Sequence, residues 1–183
     1  MYRVLSNSHR ADEFNPGFGS PTRFAFFGDP TVPVVYCAQT PEAAVCETLL
    51  HDVPVEGGHL RPRAYRDKLA VRLTPARELR LASFLGTGLR ALKTEASQLT
   101  DTDPREYPST VKWAEATHRA GFDGIAWMSK RCNSDQAYVL FGDRVIDCLI
   151  IDPSYGRVFA AGKDLDWLIN FCAPLHVEVL VHG

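Results

Sequence analysis

The 183 residues of this chain are close to the size of one domain and are enough to bury a substantial core. With 45% hydrophobic and 23% charged residues the composition is that of soluble globular proteins, and no segment approaches the roughly 18 apolar residues of a membrane span. A net charge of −2 gives no reason to expect a nucleic-acid-binding surface.

Read in chain order, MYRVL is a short strand. From Ser6 to Pro21 the chain is rich in Ser, Asn, Gly and Pro and reads as a loop placed to cover a site. TRFAFFG is a compact apolar stretch with one arginine, and Pro33 limits where the next strand, VVYCA, can begin. Thr40 caps a helix that starts at Pro41, carries Glu42 in its first turn and runs to about Leu50. Residues 53–66, with Pro54, Gly57, Gly58 and Pro62 among charges, form an exposed connection. KLAVRLT alternates Leu69, Val71 and Leu73 against Lys68, Ala70 and Arg72, the pattern of a half-buried strand, and ELRLASF is a shorter extended piece. Residues 86–106 carry weak helical potential and end in the polar loop TDTDPRE. YPSTVKWAEATHRAG is a helix with Val111, Ala114 and His118 on one stripe and Gly121 as its C′ residue. DGIAWMS returns as a strand, and AYVLFGDRVIDCLIID reads as two strands joined at a Gly142-Asp143 turn. A helix around Leu165 to Phe171 and the strand HVEVLVH finish the chain. Interspersed strands and helices, with no repeat and no long linker, predict an α+β single domain over residues 1–183, a mixed sheet with flanking helices.

Several chemistries drop out. Neither GxxxxGK[ST] nor GxGxxG after a strand is present, and G-x-S-x-G is missing too. His176-Val177-Glu178 imitates the H-x-E of zinc deaminases, but no P-C-x-x-C follows. No C-x-x-C occurs, which weakens a structural zinc site, and no metal is expected. The five cysteines (Cys37, Cys46, Cys132, Cys148 and Cys172) are odd in number and scattered, which suits reduced, mostly buried thiols in a cytoplasmic protein. The opening MYRVLSNSHRADEFNPGFG lacks the apolar stretch of a signal peptide.

What remains is a set of polar residues where hydrophobic neighbours are expected. Arg3 lies inside MYRVL, Arg23 inside PTRFAFF, Tyr36 inside VVYCA, and Ser129 after GIAWM. At helical spacing Ala43, Cys46, Glu47 and Leu50 share one face, and Ala44, Thr48 and His51 a more polar one, so Glu47 falls on the stripe that should meet the core. Each has an ordinary reading: a snorkelling arginine, a partly buried tyrosine, a turn serine, a structural ion pair for the glutamate. Together they describe a wet cleft. An ionised carboxylate buried without a partner costs several kcal/mol, so Glu47 requires a cation, donors or water, and strand-borne arginines could supply the cation. Such a cleft suits an anionic, ring-bearing ligand.

The order YR, then RF and a glycine (Arg23, Phe24, Gly28), then VVYCAQTPEAAVCE, resembles the RES-domain family, the toxins of bacterial Xre–RES toxin–antitoxin pairs. GFDGIAWMSKRCNSDQAYVLF is similar to that family as well, and the likeness spans most of residues 2–148. Its most specific piece is Tyr36 with Glu47 eleven residues on, across a Thr-Pro-Glu helix start. The resemblance implies an α+β fold like that of ADP-ribosylating toxins and consumption of NAD⁺ as a substrate, by phosphorolysis with inorganic phosphate or by hydrolysis, with no cofactor. It also admits ADP-ribosyl transfer to a host protein, and the same fold could serve as a non-catalytic binding module. It implies catalytic roles for Glu47, Arg3 and Ser129, contacts to NAD⁺ from Arg23, Tyr36, Ser109 and Asn133, and a helix-turn-helix antitoxin as protein partner. Ser109 in YPST is the rival of Ser129 for the family's serine. Where the family commonly has GGRWN this chain has PTRFA, with Ala25 in place of the asparagine.

Overall fold

The computed structural model describes residues 1–182. In chain order its strands are β1 (Tyr2–Ser6), β2 (Val34–Ala38), β3 (Gly58–Leu60), β4 (Lys68–Pro75), β5 (Leu81–Phe84), β6 (Gly124–Met128), β7 (Gln136–Phe141), β8 (Leu149–Val158) and β9 (Val177–Val179). Its helices are α1 (Pro41–Thr48), α2 (Pro62–Tyr65), α3 (Thr87–Ala91), α4 (Ala96–Leu99), α5 (Tyr107–Arg119), α6 (Gly142–Val145) and α7 (Gly162–Cys172). Seven strands make one mixed sheet in the order β5-β6-β7-β2-β1-β4-β8, in which only β5 and β6 run parallel. The fold is α+β, as the sequence predicts.

Strand alternation divides the core. On one face Val34, Val139, Ile125 and Trp127 pack beneath α5, with Ala114 buried from the helix side. Further along the same face Ala38, Val4 and Ala70 pack beneath α1 and α7. Val35, Cys37, Leu140 and Leu73 point the other way and are covered by Phe14 and Val145. The sheet is not continuous across its middle. β1 pairs along its whole length with β4, from Tyr2↔Arg72 to Ser6↔Lys68, and β2 pairs along its whole length with β7. Between β1 and β2 the ladder has a single pair, Tyr2↔Ala38. Beyond it the two strands part, and a gap opens between the core under α5 and the core under α1.

Three sequence expectations need correction. The Gly142-Asp143 turn does not join a hairpin. Gly142 donates its N–H to the Pro33 carbonyl at 2.6 Å, α6 follows, and buried Val145 draws the chain beneath the sheet. β8 therefore emerges at the far edge, beside β4, four strands away from β7. Arg23 is not on a strand either; it lies in a turn closed by hydrogen bonds between Thr22 and Ala25. Phe24 and Phe27 bury that turn in the core, Phe24 edge-on to Trp127 at 5.1 Å, which is why so apolar a segment need not be a strand. HVEVLVH contributes only β9, which pairs in parallel with β3 in a separate two-stranded sheet. The helix stop at Gly121 is as expected, with φ of 85° in the left-handed region that glycine accepts.

The start of β6 is fixed by one ion pair. Asp123, 7% exposed, accepts from Arg77 Nη1 and Nη2 at 2.9 Å each and from the Arg80 N–H at 2.8 Å. The Arg77 hydrogen bonds hold its carboxyl below the usual value, against the opposing effect of burial. A depressed folded pKa means stability that is present above the unfolded value of about 3.9 and lost as pH falls through the folded one. Asp123→Asn should therefore melt several degrees below the wild type at neutral pH, with the gap closing as the pH drops below about 4. Melting curves across pH 2–7 check this, and a gap independent of pH contradicts it.

Candidate functional site

The gap between the two cores is a cavity of about 520 Å³, within the size range of ligand sites. Its floor follows from strand register. Trp127 lies opposite Ala137, Ala137 opposite Ala38, and Ala38 opposite Tyr2, so four neighbouring strands present one row across the sheet. The two alanines in the middle leave the hollow, and Trp127 and Tyr2 stand at its ends. Tyr36 lies on the face shared by Val34 and Ala38. Val34 packs in the core under α5 and Ala38 in the core under α1, which leaves the tyrosine between them, facing the cavity.

One wall is α1. Thr40 caps it, accepting from the Ala43 N–H at 3.1 Å, with Pro41 in the first turn. Ala43, Val45 and Cys46 bury the far side, while Ala44, Glu47 and Thr48 line the cavity. Glu47 is thus half-buried at the margin of the apolar stripe. It belongs with the polar face of Ala44, Thr48 and His51 rather than with the core stripe expected from spacing. Its partner comes from β6. Ile125, Trp127 and Ser129 follow each other at the period of a strand and so share a face, and Ser129, just past the strand end, is fully buried. Ser129 Oγ donates to Glu47 Oε1 at 2.5 Å and accepts from the Cys132 N–H at 3.0 Å. Glu47 is therefore satisfied by a hydroxyl donor, and no ion pair holds it among the described residues.

The arginines serve otherwise than as its cation. Alternation places Arg3 on the face opposite Tyr2 and Val4, and it reaches the cavity because the sheet is open at that point. Its Nη1 donates to the carbonyls of Ala11 at 2.8 Å and Glu13 at 2.7 Å, which ties down the part of the 7–21 loop that packs, with Phe14, on the other face of the sheet. Ser20 and Pro21 line the cavity while Ala11 and Phe14 pack on the other face, so the loop expected to cover the site reaches it only at its C-terminal end. Arg23 projects from its turn with the guanidinium 5.8 Å from the Tyr107 ring centre and Nε 3.5 Å from Thr102 Oγ1. The Tyr36 hydroxyl fixes that turn: it accepts from the Phe24 N–H at 3.2 Å and bonds Thr22 Oγ1 at 2.8 Å. Burial pushes the Tyr36 phenol up to about 12, so it stays a neutral donor through the physiological range.

The cavity thus gathers Arg3, Arg23, Tyr36 and Glu47, with Ser129 behind the glutamate. Ser109 does not join them. It is exposed on the first turn of α5, where the neighbouring Thr110 turns inward and donates to the Arg23 carbonyl. Asn133 is also outside, exposed in the turn after Ser129, with φ of 40° and its N–H on the Ser129 carbonyl. Sequence reasoning missed Trp127, Tyr107 and the pair His51 and Asp52, all of which line the cavity. Signals existed for two of them: Trp127 precedes Ser129 by one strand period, and His51 follows Glu47 by four residues.

Comparison with protein families matches residues 1–159 to the RES domain. The chain belongs to the RES-domain family. RES is a toxin-type domain. The match takes in both halves of the split sheet up to the end of β8, and with them every cavity residue named above. Comparison with curated proteins gives no match. Among the described residues of this RES domain, no helix is long and apolar enough to cross a membrane.

Ser129→Ala separates support of the fold from support of Glu47. It strands the Cys132 N–H and removes the hydroxyl donor to the carboxylate, costing about 1–3 kcal/mol of stability for an unmet buried partner. The expected result is a folded protein that melts earlier and has a disordered Glu47 side chain in a crystal structure. An unchanged melting temperature with Glu47 still ordered would show that other groups hold the carboxylate.

Proposed function

We propose that this RES domain cleaves the nicotinamide–ribose bond of NAD⁺. The observation that carries the reading is a carboxylate, Glu47, held by Ser129 on the wall of a cavity that also presents Arg3, Arg23 and an aromatic set. Cleavage develops positive charge on the ribose as neutral nicotinamide leaves. A fixed carboxylate gains attraction as that charge grows, which lowers the barrier rather than merely tightening binding. Ser129 holds Oε1, and Oε2 is left to face the sugar. Arg23, with most of its donor fork unused, suits the pyrophosphate, and Tyr36, Trp127 and Tyr107 offer ring surfaces to the two bases. Arg3 has half of its fork on the loop carbonyls, so its part is to fix the loop at the gap between the strands as well as to attract phosphate. The acceptor is water or inorganic phosphate, and no cofactor is needed. A helix-turn-helix antitoxin, the partner implied by the family, is proposed to act by laying a segment over the mouth near Arg23 and Tyr36.

Incubating the purified protein with NAD⁺ and measuring free nicotinamide, with and without added phosphate, tests this reading. Release is expected. Arg23→Ala should raise KM about tenfold to a hundredfold, matching the 1.5–3 kcal/mol of a charge-assisted bond, and Arg23→Lys should recover only part of it. No nicotinamide release in either buffer contradicts the proposal.

A further inference from the structure

α1 does not end where its cavity wall ends. Leu49 and Leu50 both donate their N–H groups to the Val45 carbonyl, at 2.7 and 3.2 Å, and both side chains are buried. This pins the last turn to the core and sends the next two residues outward on the cavity side. His51 and Asp52 line the cavity there, on the same wall as Glu47. The His51 Nδ1 lies 2.7 Å from Asp52 Oδ1, with side-chain exposures of 44% and 98%. The wall is therefore graded, from fully buried Ser129 through half-buried Glu47 to an imidazole and carboxylate open to solvent at the mouth.

Glu47 accounts for departure of nicotinamide but not for arrival of the acceptor. When nicotinamide leaves, it takes the electron pair of the ribose–nitrogen bond. A water molecule then forms the new carbon–oxygen bond with one of its lone pairs and must lose a proton; the balance is NAD⁺ plus water giving ADP-ribose, nicotinamide and H⁺. Phosphate dianion attacks through an oxygen that carries no proton, so phosphorolysis releases none. A base at the solvent side is needed for one acceptor and idle for the other.

We propose that His51, oriented by Asp52, is the base that takes the proton from an acceptor water at the mouth of the cleft; this rests on the reading of the cavity as an NAD⁺-cleaving site. Nδ1–H donates to the Asp52 carboxylate, which fixes the tautomer and leaves the Nε2 lone pair free for the water. Asp52 is a positioning residue, since it acts through the imidazole.

The test compares wild type, His51→Gln and Asp52→Asn, measuring ADP-ribose in phosphate-free buffer and the 1-phosphate of ADP-ribose with phosphate added. Loss of a general base typically costs 10²-fold or more, so His51→Gln should lower hydrolysis about a hundredfold while phosphorolysis stays within about twofold. Asp52→Asn should lower hydrolysis by less, again sparing phosphorolysis. Both sites are at the surface, and Asp52→Asn gives the same discrimination should His51→Gln melt early. Equal losses for both acceptors, or no change in hydrolysis, would overturn the assignment and leave the NAD⁺ reading intact. So would a wild type that releases nicotinamide only with phosphate. A wild type inactive in both buffers would remove the underlying reading and the His51 role with it.

Discussion

β1 and β2 run side by side in the sheet but share one ladder pair, Tyr2 with Ala38, and the cavity follows from their parting after it. A strand edge without a partner leaves backbone donors and acceptors that must meet something else. Here the chain between the two strands, residues 7–33, supplies part of the cover. Asn15 exchanges backbone hydrogen bonds with Val34, Arg3 reaches the loop carbonyls, and Phe14 and Phe24 anchor the segment on opposite faces of the sheet. The remaining opening is the cavity. A continuous sheet would close it and would confine Arg3 to the far face.

Within that opening the arrangement around Glu47 is costly for folding. A half-buried carboxylate with one hydroxyl donor keeps less than it would have in water, where each oxygen is solvated. A core residue in the same place would pack against Ala44 and Ala38 without that loss. Polar groups placed against the interest of folding are what functional sites require, because a charge that is incompletely solvated in the free protein is ready to act on a substrate. The alanine pair at the floor has the same character: Ala38 and Ala137 are almost fully buried, yet they border empty space that larger side chains would fill.

The sequence made the elements legible wherever a local signal was strong. Thr40-Pro41 marked the start of α1, Gly121 the end of α5, and the alternation in KLAVRLT a strand that does form. Glu47, Arg3, Tyr36 and Ser129 were legible because each breaks a hydrophobic pattern. Ser109 and Asn133 carried no such signal and lie outside the cavity. The failures have a common cause, which is that long-range packing decided them. The Gly142-Asp143 pair has good hairpin chemistry, but burial of Val145 beneath the sheet overrides it. Arg23 looked strand-borne because its neighbours are apolar, whereas Phe24 and Phe27 bury a turn. His51 and Asp52 look like ordinary polar residues after a helix, and only the turn made by Leu49 and Leu50 brings them to the cleft.

The most direct measurement is made on one variant, Glu47→Gln, by following its melting temperature and its NAD⁺ turnover together. The amide keeps the shape of the side chain and can still accept from Ser129, so only the negative charge is lost. A catalytic Glu47 predicts a melting temperature that holds or rises and a turnover lower by two or more decades, about 3 kcal/mol of transition-state stabilisation, with NAD⁺ affinity changing far less. A variant that melts early yet turns over NAD⁺ as fast per folded molecule would make Glu47 a structural residue and contradict the assignment.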